Sequence, residues 1–272
     1  MPQAEVDTPV DDAALEPRRA AGRELQTAFR DSGVHAKPQI GTTTAASAVS
    51  VTIPLEGGGA AQFLIGKPLP LADPAAPLQY LLKQHEIQAK VTIVEFGPDP
   101  VLKVALATCD DARRLAALVI ERRSEAHDAA LRLRTVFTKI GVTENHIYVT
   151  DGTVEIGDID VRDAVTLYDI LAGGGSSAEA HGLHGLNLHD RWDSRGWRDV
   201  EKLAQLLGPI VSKASGQYLE SLPNPACHDC ISSRPHRITL GSAHPRQVLL
   251  FADAITSADG AASSTDPGPP DR

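Results

Sequence analysis

LRTVFTKIGVTENHIYVTDGTVEIGDIDVRDAVTLYDIL, residues 133–171, is the stretch from which the fold is read. Leu133, Val136, Phe137 and Ile140 keep a helical spacing that stops at Gly141. Glycine takes the left-handed conformation after a helix end at little cost, so the helix is predicted to end there. Strands are expected over His146–Thr150 and Val154–Ile159, joined by Asp151-Gly152, a pair that suits a type I′ turn. A helix over Val161–Leu171 follows. The order is helix, strand, strand, helix.

The same phrase recurs along the chain. Leu25, Phe29, Gly33 and Val34 sit at one constant offset from Leu133, Phe137, Gly141 and Val142, and Leu78, Leu82, Glu86 and Ile87 keep the spacing with Glu in place of Gly. The strand-to-helix half recurs as well. Val154, Ile156, Ala164, Leu167 and Ile170 align without gaps on Leu102, Val104, Ala112, Leu115 and Leu118, and on Ile238, Leu240, Val248, Phe251 and Ala254. Val51, Ile53, Ala61 and Leu64 form a weaker copy. A period of about 50 residues marks paired or stacked supersecondary units.

The predicted fold is therefore α+β, with internally repeated helix–hairpin–helix units forming antiparallel sheet packed by helices. Three clear copies fall at 22–66, 76–120 and 131–172, and 173–257 reads as a fourth with insertions. Residues 17–172 read as the repeat body, and 1–16 and 258–272, rich in Pro, Asp, Ser and Gly, as disordered tails. Residues 110–140 read as one helix, about 45 Å long at 1.5 Å per residue. At that length it either bends near Ser124–Asp128 or joins two repeat units.

The 272 residues are 42% hydrophobic but only 4% aromatic, so the core must be built from Ala, Val, Leu and Ile. No apolar run is long enough to span a membrane, and the acidic N-terminus has no apolar segment of the secretory kind. Three cysteines without such a signal predict thiols or metal ligands in a cytoplasmic protein. A net charge of −9 disfavours general nucleic-acid binding, which needs a basic face. The local exception is the Arg-rich helix 112–134, with Arg113, Arg114, Arg122, Arg123, Arg132 and Arg134. Acidic residues interleave with these arginines, as on a solvated face with internal ion pairs.

About 30 extra residues break the last copy, around a helix expected at 198–214. The first insertion holds His181, His184, His189, Trp192 and Trp197; the second holds Cys227, His228 and Cys230, with His236 just beyond. Two thiolates spaced Cys-x2-Cys on a tight turn can each reach a tetrahedral zinc ion, at about 2.3 Å. His236 or one of His181, His184 and His189 would complete the set. Trp192 and Trp197 are amphipathic anchors or partner contacts.

Other signals resolve structurally. Gly57-Gly58-Gly59 lacks a Walker continuation and reads as a permissive turn, Cys109 as a small apolar residue, and Asp158, Asp160 and Asp163 as caps and first-turn acids. The first functional expectation is a non-enzymatic scaffold or regulatory protein that binds a protein partner and carries a structural zinc site. A metal-dependent, hydrolase-like enzyme using the same His/Cys loops is the second, and nucleic-acid binding through helix 112–134 the third. Exposed hairpin edges also make homo-dimerisation an expectation.

Overall fold

The computed structural model describes residues 8–34, 36–44, 46–55, 60–70, 72–96, 99–143, 147–173, 194–224 and 235–263. The chain is mixed helix and strand with two antiparallel sheets, an α+β protein. It divides into two compact units, Met1–Arg123 and Ser124–Arg272.

The first unit runs α1 (Asp12–Asp31), β1 (Lys37–Ile40), β2 (Val49–Pro54), α2 (Ala60–Ile65), α3 (Ala75–Gln84), β3 (Ala89–Phe96), β4 (Asp99–Leu106) and α4 (Cys109–Glu121). Its sheet order is β1-β2-β4-β3, antiparallel throughout, so two hairpins meet along their inner strands. Val49, Val51 and Ile53 of β2 lie opposite Leu106, Val104 and Leu102 of β4. All six are buried, with Leu25 and Phe29 of α1, Leu64 of α2, Leu78 and Leu82 of α3, and Leu115 of α4.

The second unit runs α5 (Glu125–Lys139), β5 (Tyr148–Thr150), β6 (Thr153–Asp160), α6 (Val161–Leu171), α7 (Ser194–Ser215), β7 (Ser221–Asn224), β8 (Arg237–Ala243) and α8 (Pro245–Ser263). Its sheet order is β5-β6-β8-β7. Val154 lies opposite Ala243 and Ile159 opposite Ile238. Phe137 of α5 and Phe251 of α8 meet edge to face in the core, with ring centroids 6.3 Å apart. Such a contact adds about 1 kcal/mol to the burial itself.

Three helix ends share one hydrogen-bond pattern. Val34 N donates to Phe29 O, Ile87 N to Leu82 O and Val142 N to Phe137 O, each closing a loop in which the preceding residue is left-handed. That residue is Gly33 (φ 67°), Gly141 (φ 77°) or, in the middle case, Glu86 (φ 55°). Asp151 and Gly152 both have positive φ, 49° and 79°, as the β5–β6 turn requires.

Several boundaries differ from the sequence reading. The helix expected over 110–140 is two helices, because Ser124 is extended (φ −100°, ψ 171°) and its N–H donates to His127 Nδ1 at 3.2 Å. The division between units therefore falls inside the 17–172 stretch. Residues expected as tail belong in part to helices: α1 starts at Asp12, where Asp11 accepts a 2.7 Å bond from Ala14 N, and α8 extends to Ser263. Strand β7 lies in what was read as pure insertion; with Pro223 in a four-residue edge strand, it has no apolar alternation to announce it.

Asp111 is the main buried polar tie of the first unit. The residue is 4% exposed, and its carboxylate accepts from Gln88 N at 2.9 Å, Thr108 N at 3.0 Å and Thr108 Oγ1 at 2.7 Å, and so fastens the start of α4 to the lead-in of β3. Asp111→Ala should cost about 2–3 kcal/mol, since buried N–H groups lose a charged acceptor. Glu86→Gly should add about 1 kcal/mol by relieving a left-handed non-glycine. Urea denaturation of both variants checks the two signs.

Candidate functional site

Of the residues that sequence chemistry singled out, Cys227, Cys230, His181, His184, His189 and Trp192 lie outside the described residues, as do Gly57–Gly59. His236 is buried (4% exposed) immediately before β8, and Trp197 is exposed in the first turn of α7. Among the described residues no group of three or more His, Cys, Asp or Glu side chains is placed to hold a metal ion. Cys109 is half-buried against the first unit's core. Asp160 caps α6 through Arg162 N at 2.9 Å. Asp163 accepts from Thr143 N at 2.9 Å. Burial pushes the Asp163 carboxyl up; the Thr143 bond opposes that, and the Asp160 charge adds to it.

Asp158 anchors a polar cluster on the second unit's sheet. It accepts from Thr239 Oγ1 at 2.5 Å and Asn224 Nδ2 at 3.2 Å, and Arg237 stands 3.9 Å away. These residues lie on three neighbouring strands, and their charges offset each other.

The first unit's sheet is more open. Its alternation puts Val51 and Val104 on the helix-covered face and Thr52, Lys103, Ser50 and Ala105 on the other. Register then aligns Lys37, Thr52, Lys103 and Thr92 in one row and Gln39, Ser50, Ala105 and Lys90 in the next. Lys37, Lys90 and Lys103 are all exposed, and among the described residues no ion pair holds any of them. Nothing in the sequence brings these three lysines together, because each comes from a different strand.

The edges of this sheet are treated unequally. Along β3, the Gln79 side chain acts as a substitute backbone: its Nε2 donates to Ala89 O and its Oε1 accepts from Val91 N, both at 2.8 Å. Beyond the end of β1, Thr8–Val10 runs alongside as an extra strand, with Val10 N donating to Thr42 O at 2.9 Å and Thr44 N to Thr8 O at 3.0 Å. Beside β1 itself lies a groove of about 570 Å³ between the strand and α1, bordered by Arg19, Arg23, Gln26, Arg30, Pro38 and Ile40. Among the described residues no carboxylate lines it. Each of these guanidinium groups pairs with an acid of α1: Arg23 with Glu16 at 2.9 Å, Arg19 with Asp12 at 3.5 Å, and Arg30 with Asp31 at 3.2 Å. The bond from Arg23, against a small opposing effect of burial, holds the Glu16 carboxyl below its ordinary range.

The arginines of the 112–134 stretch are divided between the two units. Arg113 pairs with Asp110 at 2.9 Å and Glu24 at 3.5 Å, and Arg114 donates to Glu86 O. Arg123 donates to Ser32 Oγ, and Arg132, in the other unit, pairs with Asp253 at 3.4 Å. Arg134 is buried. A second groove, of about 670 Å³ between α1 and α4, has a floor that includes Ala20, Ala116 and Ala117, with Arg113 and Glu24 paired across it.

Neither protein-family models, nor curated proteins, nor solved structures provide a match to this chain. No helix among the described residues is long and apolar enough to cross a membrane.

Gln79→Ala should strip the β3 edge of two hydrogen bonds, at a cost of about 1–2 kcal/mol. Amide exchange should accelerate at Val91 while Leu102, inside the sheet, stays protected. Hydrogen-exchange mass spectrometry resolves the two.

Proposed function

We propose that the chain is a non-enzymatic cytoplasmic scaffold or regulatory protein that binds a protein partner through its first unit. The observation that carries this reading is the lysine-bearing sheet face. Lys37, Lys103 and Lys90 stand exposed on β1, β4 and β3, interspersed with Thr52, Thr92 and Ser50, and no ion pair holds them among the described residues. A sheet face with three exposed lysines and hydroxyl donors suits an acidic protein surface, because electrostatic complementarity steers association and fixes register. A row of hydroxyls and lysines also gives little of the aromatic platform on which single-stranded nucleic acid stacks.

The architecture we propose behind it is internal repetition of the helix–hairpin–helix phrase. The order α-β-β-α occurs twice in each unit, and Val51, Leu102, Val154 and Ile238, which align in sequence, are all buried in inner strands. In the same reading, Cys227 and Cys230 form a structural zinc site with His236 and one of His181, His184 or His189, and Trp192 and Trp197 contribute partner contacts.

Two measurements test this. Cross-linking mass spectrometry on the full chain should recover a stoichiometric acidic partner with cross-links from Lys37, Lys90 and Lys103. The K37E/K90E/K103E variant should lose it while keeping its circular dichroism spectrum; equal recovery by the variant would sink the reading. Light scattering shows whether the partner is a second copy. For the metal, elemental mass spectrometry should find about one zinc per chain. C227S/C230S should lose both the zinc and thermal stability.

A further inference from the structure

We infer that the open edge of β1 is a strand-addition site for an extended, acidic segment of a partner protein, clamped by Arg19, Arg23 and Arg30. This rests on the partner-binding reading and specifies how the partner is held. The register sets Lys37 opposite Thr52 and Gln39 opposite Ser50, and Gly41 N donates to Ala48 O, so Lys37 and Gln39 turn their backbone groups toward β2. The carbonyls of Gly41 and Thr43, past the strand's end, accept from Arg18. Even-numbered residues turn outward, as Thr42 and Thr44 do when they bond to Thr8–Val10. Pro38 and Ile40 therefore present two carbonyls and one N–H to the groove. Thr8–Val10 closes the strand's continuation and Gln79 closes the β3 edge at Ala89 and Val91. The β3 edge beyond Val91 leads to the exposed acid Glu95, whereas the β1 edge faces guanidinium groups.

The far wall of the groove is spaced for such a ligand. Arg19, Arg23, Gln26 and Arg30 fall at i, i+4, i+7 and i+11 on α1 and extend over about 16 Å. A five-residue strand covers about 17 Å. Side chains on one face of an added strand recur every two residues, about 7 Å apart, close to the separation of arginines one helical turn apart. The floor supplies Ile40, 40% exposed, as an apolar contact. A peptide backbone can exchange both hydrogen bonds with Ile40 and donate one to Pro38 O; a phosphodiester backbone has no N–H to give. Pro38 lacks an N–H, so the paired exchange falls at Ile40 and sets the register.

The test uses a fluorescein-labelled acetyl-(Glu-Val)4-amide peptide, fluorescence anisotropy and the full chain. Binding should weaken at least tenfold in R23E/R30E and in Ile40→Pro, with melting curves unchanged. Ile40→Pro removes an outward N–H that no hydrogen bond among the described residues uses. Binding that survives both variants but disappears in K37E/K90E/K103E overturns the edge site and leaves the partner reading standing on the lysine face. Equal affinity for an oligothymidylate of the same charge overturns it in favour of a phosphate ligand. No peptide binding to the wild type also overturns it, and the cross-linking result then judges the partner reading separately.

Discussion

The antiparallel pairing of β2 with β4 is the interaction on which the first unit depends, as β6 with β8 is in the second. A two-stranded hairpin is marginal in water by itself, because one strip of side chains cannot bury enough apolar area. Joining the inner strands sets Val49, Val51 and Ile53 against Leu106, Val104 and Leu102, and the doubled strip gives the helices a continuous surface to cover. The same register decides what faces away. A slip of one residue would turn Lys103 and Thr52 into the core and Val104 and Val51 out to water, so burial specifies the position of the lysines. The surface proposed to bind is thus a consequence of the core and has no separate scaffold of its own.

What was legible in the sequence followed from local chemistry. Helix ends at Gly33 and Gly141, and the Asp151-Gly152 turn, are written in residues that tolerate positive φ, and the inner strands are written in alternating Val, Leu and Ile. Glu86 could be placed only by its spacing, because its own type argues against that conformation. The break at Arg122–Ser124 could be anticipated near Ser124–Asp128 from helix length alone, because apolar periodicity continues on both sides of it and the stop lies in the Ser124–His127 contact. Strand order depends on pairing Val51 with Val104, far apart along the chain, and no local pattern encodes it.

The site was legible only in part, and for a related reason. Spacing drew attention to residues that are close in sequence, such as Cys227 and Cys230 or the run of arginines around α4. The arginines proved to be divided between two units and engaged by Glu24, Asp110, Ser32 and Asp253. Lys37, Lys90 and Lys103 carry no spacing signal, and Gln79 resembles any other surface glutamine until its amide is seen along the edge of β3. Features built by tertiary register are invisible to one-dimensional patterns even when the elements themselves are read well.

The charge of −9 also has to be read locally. Residues 1–123 carry 13 basic and 15 acidic side chains, and residues 124–272 carry 13 and 20, so most of the excess lies in the second unit. At physiological ionic strength exposed charges are screened beyond about 8 Å. A ligand over Lys37 and Lys103, or beside Arg19, Arg23 and Arg30, therefore responds chiefly to the cations within one or two strand spacings. The net charge governs long-range approach and solubility; it slows encounter with an acidic partner without determining affinity at the surface. An acidic chain can carry a locally basic surface when its lysines share one sheet face and its arginines line one edge. Both conditions are met in the first unit, where the charge excess is smallest.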